Sequence, residues 1–318
     1  MPISPVDRAR SIADEPFQLA GTTSAVGGGS GGFIASLLEI LRHRELLRLL
    51  VGRELKSRYK DSSLGFVWSL VRPLIMLLIY YVAIGQILGA SRGVPNFAIF
   101  VFSGLTLWGL FSEIVTAGTT SILGNGGLIK KVYLPREIFP VAAIGSALFN
   151  FAVQFVVLMV GAVLTGSLVF GRDLLYILPA LAITLVYGLA FALALSALNV
   201  YLRDVQFLVE VGLQIFFWLS PIVYAWNFVV TATTGAGRSW LEQLYLFNPM
   251  SNAILAFQRA VWGDGSRVSI IEGNEIAPQV WPPDMALRLI IVFAVGVVFV
   301  WIGHRIFRRL EGNFAQEI

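Results

Sequence analysis

IFPVAAIGSALFNFAVQFVVLMVGAVLTGS, residues Ile138–Ser167, carries no charged side chain from end to end. A helix needs about 20 mostly apolar residues to cross a bilayer, so this segment spans one with length to spare for tilt. Five further segments read the same way: Phe66–Leu88, Phe97–Leu123, Leu174–Val200, Phe207–Trp226 and Ala286–Phe307. The chain is therefore predicted to be an all-α integral membrane protein with six transmembrane helices. Its composition agrees: 57% of its residues are hydrophobic and 13% charged, where a soluble domain carries about a quarter charged residues. The first apolar run begins after residue 60, so the N-terminus does not read as a cleaved signal peptide.

Directly before the quoted span stands a short charged segment, Lys130-Lys131-Val132-Tyr133-Leu134-Pro135-Arg136-Glu137. With the N-terminus on side one, 17 of the 23 Lys and Arg residues fall on that side. Basic residues near span ends stay in the cytoplasm. Both termini are thus expected inside, and the loop of about residues 124–137 faces the cytoplasm. Residues 1–32, with Gly27-Gly28-Gly29-Ser30-Gly31-Gly32, read as a disordered cytoplasmic tail.

Several chemistries drop out. The chain has no cysteine, so it has no disulfide, thiolate metal site or thiol nucleophile. Its two histidines, His43 and His304, are remote in sequence, and no metal site is expected. The net charge of +4 reflects cations flanking apolar spans, which speaks for membrane topology and against nucleic acid. No acid–base pair or nucleophile cluster marks an enzyme. No G-x-x-x-x-G-K-[ST] phosphate loop is present: Gly124-Asn125-Gly126-Gly127 runs into Leu128 without the lysine.

Residues 33–62 mix leucines with cations. Leu47, Val51, Leu55 and Tyr59 share a helical face, interrupted by Glu54 and Arg58, while Arg42, Arg44, Arg53, Lys56 and Lys60 supply charge elsewhere. This reads as an amphipathic helix at the inner membrane interface. It serves either as a plain anchor or as a guide for an anionic lipid-linked substrate.

The stretch Glu54-Leu55-Lys56-Ser57-Arg58-Tyr59-Lys60-Asp61-Ser62-Ser63-Leu64-Gly65-Phe66-Val67-Trp68 resembles the opening of ABC transporter type-2 permeases, in particular the Wzm/TagG branch that exports polysaccharides and teichoic acids. Ser103-Gly104-Leu105 with Trp108, the continuation Leu128 to Glu137, Arg203-Asp204 with Ser220-Pro221-Ile222, Asn248-Pro249 with Phe257 and Arg259, and the ending Phe307, Leu310-Glu311, Phe314-Ala315 follow in that branch's order. The likeness covers about residues 38–318. The glycine-rich tail is additional, and the Gly263–Asp284 outer loop is long.

The resemblance implies a type-2 (type V) exporter fold over residues 63–318, in a bacterial plasma membrane. It implies a homodimer working with two copies of a separate ABC ATPase, which would bind the ATP and Mg; this chain would hold no cofactor. The cargo implied is a lipid-linked glycan of O-antigen, galactan or teichoic acid type. Lys130, Lys131, Tyr133, Pro135, Arg136 and Glu137, assisted by Arg203 and Asp204, would couple to the ATPase, although topology alone also explains the lysines. Arg72, Glu113 and Glu210 lie at similar depth in the spans; they either pair or snorkel to the interface. Tyr80 and Tyr81 in the first span, and Phe216, Phe217 and Trp218 in the fifth, are candidates for a sugar path or for plain helix packing. Pro221 should kink the fifth span. Asn248 as cap and Pro249 as first residue open a short helix that carries Phe257 and Arg259. It reads as interfacial or re-entrant, within an outer gate region of about 227–285. Two other functions remain open: a permease for small amphiphiles or drugs, and a non-transporting membrane scaffold.

Overall fold

The computed structural model describes residues 44–59, 67–131, 134–235, 237–238, 240–271 and 273–318. The predicted tail, the first part of the amphipathic helix, Lys60 and Tyr133 lie outside these residues, as do the side chains of Arg58 and Tyr59. The described part is helical but for one small hairpin. Helix α1 spans Arg44–Tyr59, and α2 spans Trp68–Tyr80, continuing as a π-helical stretch over Tyr81–Ile87. Then come α3 (Phe97–Gly124), α4 (Ile138–Leu164), α5 (Ile177–Tyr201), α6 (Val205–Trp218), α7 (Trp226–Gly235), α8 (Trp240–Leu246) and α9 (Pro249–Val261). Strands β1 (Ser269–Ile271) and β2 (Asn274–Ile276) pair antiparallel, and α10 (Met285–Leu310) follows.

Among the described residues, five helical segments are long and apolar enough to cross a membrane, those built on α2, α3, α4, α5 and α10. The fifth predicted span, Phe207–Trp226, does not form as one helix. Its apolar run breaks after Trp218, leaving α6 with 14 residues, about 21 Å at 1.5 Å per residue against a hydrocarbon core of about 30 Å. Pro221 therefore ends the helix instead of kinking it. Proline lacks the N–H that would continue the ladder, and it disfavours helical backbone in the residue before it. Ile222 N turns back onto Ser220 O at 2.8 Å.

Helix α3 is the centre of the bundle. Of its most apolar window 72% is buried, against 6% for the segment containing α2. The cause is small residues at the contacts, which let membrane helices approach closely. A Cβ on Gly118 would sit 2.5 Å from Ala192 Cβ of α5, and one on Gly188 would sit 2.9 Å from Ile114 of α3. The same device seats α10 on α5: Gly303 lies against the Ala190 carbonyl and Gly296 against Tyr187.

Helix α1 packs on α4, with Val51 against Gly145 and Leu50 buried. The covered side thus includes Leu50 as well as the predicted Leu47 and Val51. Helix α9, read as interfacial or re-entrant, departs from the interfacial alternative. Met250, Ile254, Phe257, Val261 and Trp262 are all buried, because α9 inserts between α5 and α3 and Phe257 packs on Phe151 and Phe155.

Candidate functional site

A cleft of about 1180 Å³ opens along one side of α3, walled by α1, α2, α4 and α6. Its lining from α3 follows the helical period: Gly109, Ser112, Glu113, Thr116, Ala117 and Thr120. This puts three hydroxyls and one carboxylate in a row on a single face of the helix. Helix α4 adds Asn150 and Gln154, and α6 adds Glu210 and Gln214. Arg72 and Tyr80 come from α2, Arg53 and Glu54 from α1. The lining holds three carboxylates and two guanidiniums, so its charge is close to balanced, and most of the remaining polar groups are neutral hydroxyls and amides.

The structure thus brings Arg72, Glu113 and Glu210, scattered in sequence, to one cleft. Glu113 is held by the neighbouring span, Asn150 Nδ2 donating to its Oε1 at 2.7 Å. Of the five candidate path aromatics, Tyr80 and Phe217 line the cleft and stack on each other with centroids 5.8 Å apart. Trp108 meets Phe217 edge-on at 5.9 Å. Tyr81 packs towards Phe97, while Phe216 and Trp218 are half-exposed away from the cleft lining. Among the candidate substrate-guiding cations, Arg53 lines the cleft and donates to Asn125 Oδ1 at the end of α3; Lys56 is exposed outside the lining.

The loop between α3 and α4 divides in two. Its first half is a single helical turn, Gly126–Ile129, followed by exposed Lys130 and Lys131. The described residues that follow, 134–137, face inward. Glu137 is buried, 3.6 Å from His304 Nε2 and 3.9 Å from Arg308 on α10. Arg136 donates to the Glu311 carbonyl and lies over the Phe314 ring, 5.6 Å from its centroid. Phe314 is itself packed on Phe307 and Tyr201, and Tyr201 Oη donates to Leu310 O at 2.7 Å. Pro135 opens α4, its carbonyl accepting from Ile138 N. Arg203 and Asp204 are exposed in the short connection from α5 to α6.

At the far end of the bundle the turn after α6 meets both α3 and α9. Gly104 lies against the Ile222 backbone, where a Cβ would come within 3.1 Å. Asn248 caps α9 as predicted, its Oδ1 accepting from Met250 N at 2.9 Å, and its Nδ2 reaches Ser220 Oγ at 3.0 Å. Gln258 Nε2 donates to Pro221 O at 2.9 Å. Arg259 pairs with Asp173 at 3.0 Å and lies over Tyr176. Nearby, burial pushes the Asp264 carboxyl up, but hydrogen bonds from Ser167, Asn96 and Arg267 outweigh it and hold the group below the usual carboxylate range.

The reading of isolated charges and aromatics missed Asn150, Gln154, Gln214 and the Ser112–Thr116–Thr120 row. The row was detectable as small polar residues four apart within an apolar span.

Relatives with assigned names bear on what such a cleft is for. The O-antigen export system permease protein RfbA of Myxococcus xanthus is 29% identical over 280 residues, covering 88% of this chain and 98% of the relative. Its Klebsiella pneumoniae namesake is 26% identical, covering 86% and 94%. The capsule polysaccharide export inner-membrane protein BexB of Haemophilus influenzae is 23% identical, covering 69% and 80%. Residues 45–262 match the family described as ABC-2 type transporter. That match spans α1 to α9, all walls of the cleft included, and the chain belongs to the ABC-2 type transporter family.

Proposed function

We propose that this chain is the permease subunit of an ATP-driven exporter that moves a lipid-linked polysaccharide across a bacterial inner membrane. The observation that carries the reading is the cleft. Its row of hydroxyls and amides offers many weak, interchangeable hydrogen bonds, and its near-balanced charge disfavours a strongly ionic cargo. A sugar polymer sliding past such groups exchanges one set of bonds for the next. The stacked Tyr80 and Phe217 add an apolar face for sugar rings. Arg53, Lys56, Arg58, Tyr59 and Lys60 would bring the anionic lipid carrier to the cleft's mouth. The names of the relatives point to the same cargo class.

A cleft along one side of a monomer is half a passage, and a second copy related by a two-fold axis is the simplest closure. Power would come from two ATPase subunits docking at the cytoplasmic end, where Lys130 and Lys131 are exposed and Arg203 and Asp204 lie nearby in the topology. Arg136 and Glu137, held against α10 and the C-terminal turn, would pass the push on the loop to the last span. On this orientation the N-terminal helix is cytoplasmic, and α7 to α9 stand at the outer side as a gate.

The test is mass spectrometry of lipid-linked glycans after depletion of the protein. Accumulation of a glycan on its carrier at the inner leaflet is expected. Unchanged glycan pools together with new sensitivity to small amphiphiles would replace the glycan reading with efflux of drug-like molecules.

A further inference from the structure

A second, smaller pocket of about 300 Å³ lies at the end of the bundle opposite α1, between the Gly93–Pro95 loop, the start of α7 and the segment after β2. Gln279 lines it and is 6% exposed. Its backbone N donates to Gly265 O at 2.7 Å, which fixes the main chain. Neither its Oε1 nor its Nε2 has a hydrogen-bond partner among the described residues. A buried amide left in that condition costs about 1–3 kcal/mol, and native proteins keep such groups chiefly where something else meets them.

The other walls restrict what that something is. Asp264 brings a carboxylate, but both oxygens are engaged: Oδ2 by Asn96 at 2.7 Å and Ser167 at 2.5 Å, Oδ1 by Arg267 at 2.9 Å. The pocket therefore presents no free charge from this pair. Asn227 spends its Oδ1 on Val280 N at 2.8 Å, which leaves its Nδ2 as a donor. Phe228 and Trp262 supply aromatic surface, the indole N–H of Trp262 being taken by Pro95 O at 2.7 Å. Neutral amides beside aromatic rings suit a neutral ring bearing several hydroxyls, with C–H bonds on the rings and hydroxyls on the amides. The volume is at the small end for ligand pockets, enough for one ring and not for a chain.

We infer that this pocket is a subsite for a single neutral sugar residue on the outer face of the exporter. The inference rests on the glycan-export reading for its orientation and for the source of the sugar. A residue held there would resist slipping back into the passage.

The test uses the full chain in lipid nanodiscs and saturation-transfer NMR. The probes are methyl β-galactopyranoside, N-acetylglucosamine and rhamnose, with hexyl phosphate as an amphiphile. Ring-proton saturation from at least one sugar is expected. Gln279→Leu should weaken it by about tenfold, the worth of one hydrogen-bonded amide, while thermal unfolding stays at or above the wild-type temperature, because the variant removes an unmet polar group. Thr231→Val, at an exposed position of the same pocket, should weaken it less. Equal saturation in wild type and Gln279→Leu, no saturation from any sugar, or saturation of hexyl phosphate alone would each overturn the subsite. Any of these with glycan still accumulating on depletion removes the subsite and leaves the exporter; sugar binding without accumulation removes the exporter alone.

Discussion

The two faces of α3 solve opposite problems. One face carries Gly118 and Ile114 and is pressed onto α5 so closely that a single added methylene has no room. The other carries Gly109, Ser112, Thr116 and Thr120 and meets open space. Small residues make both possible: Gly118 of α3 and, opposite Ile114, Gly188 of α5 on the first face, and Gly109, Ser112, Thr116 and Thr120 on the second. On the first, smallness admits a neighbouring backbone; on the second, it leaves volume and a row of hydroxyls. Small residues in a membrane helix thus mark either tight packing or a passage, and the partner across the face decides between them.

Four substitutions press on that comparison, in falling order of expected effect on stability. Gly118→Leu drives a side chain into Ala192 and should cost about 3 kcal/mol or more, seen as loss of monodisperse protein on size exclusion and a large fall in unfolding temperature. Glu137→Gln weakens the link to His304 and Arg308 that ties α4 to α10 beside the packed face. About 1–2 kcal/mol is expected, the scale of an ion pair with one partly exposed partner, measurable by thermal unfolding in detergent.

Asp264 pins the opposite end. Its folded-state carboxyl titrates below the ordinary 3.8, so its contribution is complete above that value and is lost as pH falls through the depressed one. Asp264→Asn should lower stability by about 1 kcal/mol at neutral pH and match the wild type in strong acid, as followed by unfolding across a pH series. Thr116→Leu, on the cleft face, should change stability by no more than about 0.5 kcal/mol. It should nonetheless cut glycan export roughly tenfold, the kinetic equivalent of about 1.4 kcal/mol. Stability falling as far for Thr116→Leu as for Gly118→Leu would erase the distinction between the faces.

Much of the molecule is legible along the chain. Hydropathy marks five of the spans within a few residues, since burying twenty apolar side chains leaves little alternative. The Asn248-Pro249 pair announces the start of α9 because capping is a local matter of one side chain and the next turn's N–H groups. The fifth predicted span shows where local reading fails. Its apolar run continues through Leu219-Ser220-Pro221-Ile222, and a hydropathy count cannot tell a proline kink from a helix end. The end is set by what receives it: Gly104 leaves space for the Ile222 backbone, and Asn248 and Gln258 satisfy the polar groups of the turn.

Polarity and length, then, are properties of the residues themselves. Membrane residence, the position of the apolar helices and the absence of a phosphate loop from this chain follow from them without any knowledge of contacts. Which charges and aromatics share a site does not. Arg72, Glu113 and Glu210 come from three different helices, and Tyr80 and Phe217 stand far apart along the chain. Glu137 reads as a free docking charge until α10 is brought beside it. Helices of similar hydrophobicity can pack on any of several faces, and close approach at Gly118, Gly188 and Gly303 selects one arrangement. That arrangement gathers the polar groups into a cleft.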